Sequence, residues 1–220
     1  MKREKEPLTF ENIKRTHTDR RPEIRRRLAE FEAVWRHGND RDLFEEMVFC
    51  FFTGGCSARM GIRSIEAVRP LLLTGTCLEL SKALTGVHRY PNARAGYIEH
   101  SREFLLAHCN LRLRGKLDGF SDPLERRDWL VREKGIKGLG YKEASHFLRN
   151  IGFKGYGILD KHILRSLAEL KIVDDPKPPN TRSRYLTVEA GLKRLAKELQ
   201  IDFDELDLVL WSLKTGEVLK

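Results

Sequence analysis

The chain has 220 residues, 40 % hydrophobic and 33 % charged, which suits one large or two small soluble domains with a real core. No apolar run approaches the ~20 residues of a membrane span, and Met1-Lys2-Arg3-Glu4-Lys5-Glu6 has no apolar stretch behind it, so no secretion signal is expected. The formal net charge of +9, from 41 Lys and Arg against 32 Asp and Glu, favours an anionic partner without specifying one.

In chain order, Pro22 suits the first turn of a helix, and Ile24, Leu28, Phe31 and Trp35 follow near helical spacing. Arg20-Arg21 and Arg25-Arg26-Arg27 gather there as charges that would attract phosphate. Asp42 is a plausible cap for a helix carrying Leu43, Phe44, Met47, Val48 and Phe51, and Thr53-Gly54-Gly55-Cys56-Ser57 breaks it. Further helices are predicted over 58–72, 78–84 and 93–109, with Gly86 to Pro91 as a loop. Asp122-Pro123 opens the helix of Leu124, Trp129, Leu130 and Val131. Gly138 and Gly140 then turn the chain into a helix over 142–148.

Beyond a loop from Gly152 to Gly157, helices are predicted over 158–170, 184–199 and 203–214, with three prolines fixing the connector 174–180. A second basic cluster, Arg182, Arg184, Lys193, Arg194 and Lys197, lies near the end. No strand-like alternation is convincing, so the fold class is all-α. Cysteines at 50, 56, 77 and 109 form no Cys-x-x-Cys, so neither zinc nor an iron–sulfur cluster is suggested, and the cytosol is the expected compartment.

The segment from Leu130 to Ala144 resembles a helix-hairpin-helix motif. Two glycines, Gly138 and Gly140, let the backbone turn without a side chain in the way, and Leu139 plugs the gap between the helices. The free amides opening the second helix would face a DNA phosphate, a contact that reads no sequence. Lys142 stands in the first turn of that second helix, and Asp160 follows the glycine-containing loop Gly155-Tyr156-Gly157.

The stretches Gly140-Tyr141-Lys142-Glu143-Ala144 and Ile158-Leu159-Asp160-Lys161-His162-Ile163-Leu164-Arg165 resemble the helix-hairpin-helix DNA glycosylase superfamily. The resemblance implies that Lys142 is the nucleophile of a bifunctional enzyme and Asp160 the shared catalytic carboxylate, with His162 packing or binding phosphate. The chemistry calls for both groups. A neutral amine attacks C1′ of a flipped nucleotide and forms a Schiff base. A carboxylate near C1′ stabilises the charge that builds as the base leaves. His146, one helical turn after Lys142, is expected to pack or to contact phosphate rather than to relay protons.

Nearly the whole chain is similar to the second, archaeal and bacterial class of 8-oxoguanine DNA glycosylases. The run from Gly138 to Asn150 and the ending from Leu206 to Lys220 carry that likeness. It implies a terminal lysine, Lys220, reaching the damaged base, with Trp211 lining the pocket and Tyr90 stacking on the purine. Thr53-Gly54-Gly55-Cys56-Ser57 departs from the superfamily, which often carries Gln or Asn there as a wedge. Weak discrimination of the opposite base is therefore expected.

Two helical subdomains are expected, 41–149 around the hairpin (about 130–149) and 1–40 with 150–220, with the active site in the cleft between them. The leading reading is base excision of 8-oxoguanine with AP lyase activity. The alternatives are a glycosylase for another damaged base and a non-catalytic helix-hairpin-helix DNA-binding protein. The expected partner is double-stranded DNA containing oxidised guanine. No membrane and no obligate protein partner are expected, and the chain should be a monomer. No cofactor is expected; a structural monovalent or divalent cation at the hairpin is left open.

Overall fold

The computed structural model describes residues 8–219, and among them eleven α-helices and no strand are found. They are α1 (Phe10–His37), α2 (Asp40–Thr53), α3 (Ala58–Val68), α4 (Cys77–Leu84), α5 (Pro91–Cys109), α6 (Leu113–Asp118), α7 (Pro123–Arg132), α8 (Tyr141–Asn150), α9 (Lys161–Glu169), α10 (Arg182–Leu199) and α11 (Phe203–Thr215). No helix among the described residues is long and apolar enough to cross a membrane.

Several local expectations are corrected. Pro22 does not begin a helix but lies inside the 28-residue α1. Proline has no amide for the carbonyl one turn back, so α1 gives up one rung there. The cap of α2 is Asn39, which accepts from the amides of Arg41 and Asp42, while the Asp42 carboxylate returns a bond to the Asn39 amide. This reciprocal box closes two orphan donors at once. The helix predicted over 58–72 ends at Val68, and a 3-10 turn over Arg69–Leu71 follows around Pro70. The helix predicted from 158 starts only at Lys161, because Asp160 caps it from an extended backbone. The short α6 carries too little periodicity to be read from the sequence.

The chain divides into two compact units, 31–153 and 1–30 with 154–220. The first is built around α2, which packs on α3, α5, α6 and α8. From Leu43 to Thr53 every residue but Glu45 is buried, the pattern of a helix enclosed on all sides. The last turns of α1 belong to this unit. Trp35 packs on Phe153 with ring centroids 4.6 Å apart, and the Arg114 guanidinium donates to the carbonyls of Trp35 and Gly38.

In the other unit α9 and α10 both pack on α11. The first half of α1 is tied to α11 by charge. The Glu205 carboxylate, on the first turn of α11, accepts from Arg25 at 2.8 Å and pairs with His17, with Arg21 at 3.6 Å. Arg20 donates to the carbonyl of Gly216 at the other end of α11. Much of the first arginine cluster is therefore engaged within the chain. Burial pushes the Glu205 carboxyl up, but the bonds from Arg25 and His17 outweigh it and hold it below the ordinary carboxylate value.

Candidate active site

In the unit 31–153, α7 and α8 flank the hairpin turn and α5 supports it from below. Ile136 and Leu139 are buried, and the amide of Lys137 donates to the hydroxyl of Ser101 on α5. Two α5 rings fix the turn's composition. A Cβ on Gly135 would stand 1.9 Å from the Phe104 ring, and one on Gly138 would stand 2.6 Å from the Tyr97 ring. Gly138 also has φ +81°, which side-chain-bearing residues rarely adopt. Among the described residues no side-chain hydrogen bond caps α8 at Gly140, where the helix N-terminus opens. The Leu139 side chain is interior, so whatever Gly138, Leu139 and Gly140 offer a phosphate comes from the backbone.

Lys142 lies at the second position of α8, three-quarters or more covered, with its amine turned onto the end of α2. Its Nζ is 3.4 Å from the Thr53 carbonyl oxygen, 3.4 Å from Thr53 Oγ1 and 3.4 Å from Glu143 Oε1. Thr53 Oγ1 donates its own hydrogen to the Cys50 carbonyl at 3.0 Å, so toward Lys142 it is an acceptor. An ammonium has three hydrogens, and here three acceptors face it. The long distances suit an amine that is held but not locked. His146, one turn on, is buried and edge-on to Phe49 with centroids 5.6 Å apart, in keeping with a packing role.

The same end of α2 leads to Tyr90. Arg94 donates to the Gly54 carbonyl at 2.7 Å and lies over the rings of Tyr90 and Tyr97, at 5.9 Å and 5.2 Å from their centroids. The Arg89 guanidinium is 5.2 Å from the Tyr90 centroid. Tyr90 is 43 % exposed between these two guanidinium groups. Its backbone is held by His88, whose Nδ1 accepts the Tyr90 amide at 3.0 Å while Nε2 faces the Phe52 carbonyl at 3.2 Å. That pair of contacts assigns the neutral ring with its hydrogen on Nε2. Burial is the main cause that lowers the His88 pKa, the bond to Phe52 opposes it, and the nearby Arg94 charge adds to it.

In the other unit Asp160 caps α9. Its Oδ1 accepts from the amides of His162 and Ile163 at 2.8 Å and 2.9 Å, which leaves Oδ2 without a bond among the described residues. The His162 side chain is half-buried. Trp211 is partly exposed on α11, and α9 and α11 are joined by the Lys214–Glu169 pair at 2.6 Å. Lys220 lies outside the described residues. No group of three or more His, Cys, Asp and Glu gathers as metal ligands among the described residues.

Sequence reasoning placed Thr53 and Gly54 in a wedge loop and missed that Thr53 seats the Lys142 amine. It also passed over Glu143 and Arg94. Glu143 could have been found as the carboxylate next to a candidate nucleophile; Thr53 and Arg94 become neighbours of Lys142 only through the packing of α2 and α5 on α8.

Comparison with known proteins adds independent findings. The family model described as 8-oxoguanine DNA glycosylase matches residues 24–201. The 8-oxoguanine DNA glycosylase/AP lyase of Korarchaeum cryptofilum is 42 % identical over 198 residues, 90 % of this chain and 90 % of that protein. The crystal structure of the 8-oxoguanine DNA glycosylase of Thermotoga maritima superimposes with a TM-score of 0.87 at 35 % identity, covering 96 % of this chain and 98 % of the other. The Methanocaldococcus jannaschii 8-oxoguanine glycosylase/lyase, solved with a 15-mer DNA containing 8-oxoguanine, gives a TM-score of 0.88 at 34 % identity over 96 % of this chain and 99 % of its own.

Proposed function

The chain belongs to the 8-oxoguanine DNA glycosylase family, and from that premise we propose how its own residues carry the reaction. It is a base-excision-repair DNA glycosylase with AP lyase activity, acting on 8-oxoguanine in double-stranded DNA. The observation that carries the residue assignment is the seat of Lys142. This amine sits two residues beyond a phosphate-binding turn, partly shielded from water, with acceptors for each of its hydrogens.

The hairpin holds the strand through the backbone of Gly138, Leu139 and Gly140, with His162 as a further phosphate contact. The Lys142 amine, freed of one proton, gives its lone pair to C1′. A nitrogen–carbon bond forms as the bond to the purine breaks, and the base leaves with that electron pair. Positive charge on the sugar is greatest while the base departs, and the Asp160 carboxylate, through Oδ2, offsets it. The sugar ring then opens to an imine. Loss of a C2′ proton expels the 3′ phosphate and cuts the strand. Tyr90 gives the purine an aromatic face, Trp211 lines its pocket and Lys220 reaches the lesion's edge.

Incubation with duplex carrying one 8-oxoguanine, followed by borohydride, is expected to leave a covalent protein–DNA adduct. Lys142→Gln should give neither adduct nor strand cleavage while binding the duplex near normally. An adduct with Lys142→Gln would mean that another amine is the nucleophile.

A further inference from the structure

The loop before Asp160 is held in an unusual way. Gly157 has both of its backbone groups bonded to side chains of α10. Its carbonyl accepts from Tyr185 Oη at 2.6 Å, and its amide donates to Glu189 Oε1 at 2.9 Å. The Tyr185 oxygen also lies 3.4 Å from the Leu159 amide, which donates to it. Tyr185 is 1 % exposed and Glu189 3 % exposed. A Cβ on Gly157 would stand 3.2 Å from Glu189 Cγ and 3.3 Å from Phe203, so the loop lies directly on these side chains. Two residues earlier, the Gly155 amide donates to Asp204 Oδ1 at 2.9 Å.

Tyr185 and Glu189 stand one helical turn apart on one face of α10. A phenol and a carboxylate are a costly way to fill a core, because each must find bonds once water is gone. Here both reach the backbone just before the cap of α9, Tyr185 at Gly157 and Leu159 and Glu189 at Gly157, while Lys193 lies 3.9 Å from the other Glu189 oxygen. The Asp160 amide in turn donates to the Ile158 carbonyl at 2.8 Å. The backbone is therefore pinned from Gly157 to the α9 cap. Asp160 cannot shift without breaking this chain of bonds.

We infer that Tyr185 and Glu189 are positioning residues that set where the Asp160 carboxylate stands in the excision step. This rests on the assignment of Asp160 above and extends it to residues that touch neither DNA nor C1′. A displacement of about 1 Å at a reacting group can lower a rate about 10²-fold, so loosening the latch should show in chemistry before it shows in binding.

The test separates two half-reactions. Release of 8-oxoguanine needs Asp160, because charge builds on the sugar as the base leaves. Trapping of a preformed abasic site by borohydride needs the Lys142 amine and an aldehyde, and no base departs. Tyr185→Phe keeps the ring and deletes both bonds. Single-turnover release of 8-oxoguanine is expected to fall about 10- to 100-fold, with trapping of the abasic duplex within about twofold of wild type. Glu189→Leu should show the same split. Glu189→Gln, whose amide oxygen still accepts from Gly157, should restore most of the release rate.

Undiminished release in both Tyr185→Phe and Glu189→Leu would overturn the inference. So would a parallel fall in release, trapping and melting temperature, since that marks a general structural role. Asp160→Asn, run alongside, guards the premise: if it retains full release, the assignment of Asp160 has failed and the positioning role fails with it.

Discussion

At Asp160 one side chain caps a helix through Oδ1 and, on the assignment proposed above, leaves Oδ2 for chemistry, so a single substitution can pull the two apart. Asparagine caps a helix about as well as aspartate, so Asp160→Asn should keep the bonds to the amides of His162 and Ile163. On that assignment the negative charge offered to the sugar as the base departs is lost. Melting temperature should stay within about 2 °C of wild type, while 8-oxoguanine release falls on the order of 10²-fold. A large drop in melting temperature would show that the carboxylate is needed for the fold itself. Lys142 and Asp160 were singled out through the family resemblance of the stretches that carry them, and the structure puts Lys142 just past the glycine turn and Asp160 at a helix cap. Thr53, Arg94, Tyr185 and Glu189 were not, because their roles arise from contacts between helices distant in sequence.

The hairpin shows how an element can be read well in its centre and poorly at its edges. Its glycines, its buried Leu139 and the start of α8 followed from the sequence pattern. The reason Gly135 must be a glycine did not, since it depends on Phe104, far back on α5. Pro22 was misjudged because proline at a helix start is common and proline within a helix is rare; tertiary ties from Arg20, Arg25 and His17 hold α1 across it. Gly138→Ala tests the turn. The left-handed backbone alone costs a side-chain-bearing residue about 1–2 kcal/mol, and Tyr97 must move as well. Duplex affinity is expected to fall about tenfold or more, with melting a few degrees lower. Wild-type affinity in this variant would mean that the hairpin backbone is not what holds the strand.

At the scale of the whole molecule, acid sensitivity should pass through Glu205. Its folded pKa is held below the ordinary value of 4.5, by Arg25 and His17 against the effect of burial. A carboxylate of this kind adds stability above its unfolded pKa, and that contribution is lost as the pH falls through the folded value. Glu205→Gln should therefore lower the melting temperature at pH 7 by roughly 5 °C, from bonds to a charged group worth about 1.5–3 kcal/mol. The gap to wild type should narrow as the pH drops below about 4.5. A gap that stays constant from pH 7 to pH 3 would exclude this carboxylate as the source. The +9 net charge had suggested phosphate-seeking arginines near the N-terminus, yet Arg20, Arg21 and Arg25 are drawn to α11 instead. Charge counts report how much positive charge a chain holds, not how much of it is left for a ligand.

The order in which the units are threaded along the chain has a consequence for biosynthesis. Residues 31–153 are contiguous, whereas the other unit is assembled from 1–30 and 154–220. A ribosome therefore delivers Ile13 and Ile24, both fully buried in the finished protein, long before the segment that completes their unit. The middle of the chain can close its core around α2 while the part of α1 before residue 31 waits, its arginines still without Glu205. During that interval the nascent chain carries a basic helical stretch with its few core residues uncovered, a state in which exposed apolar surface and unpaired positive charge both invite association.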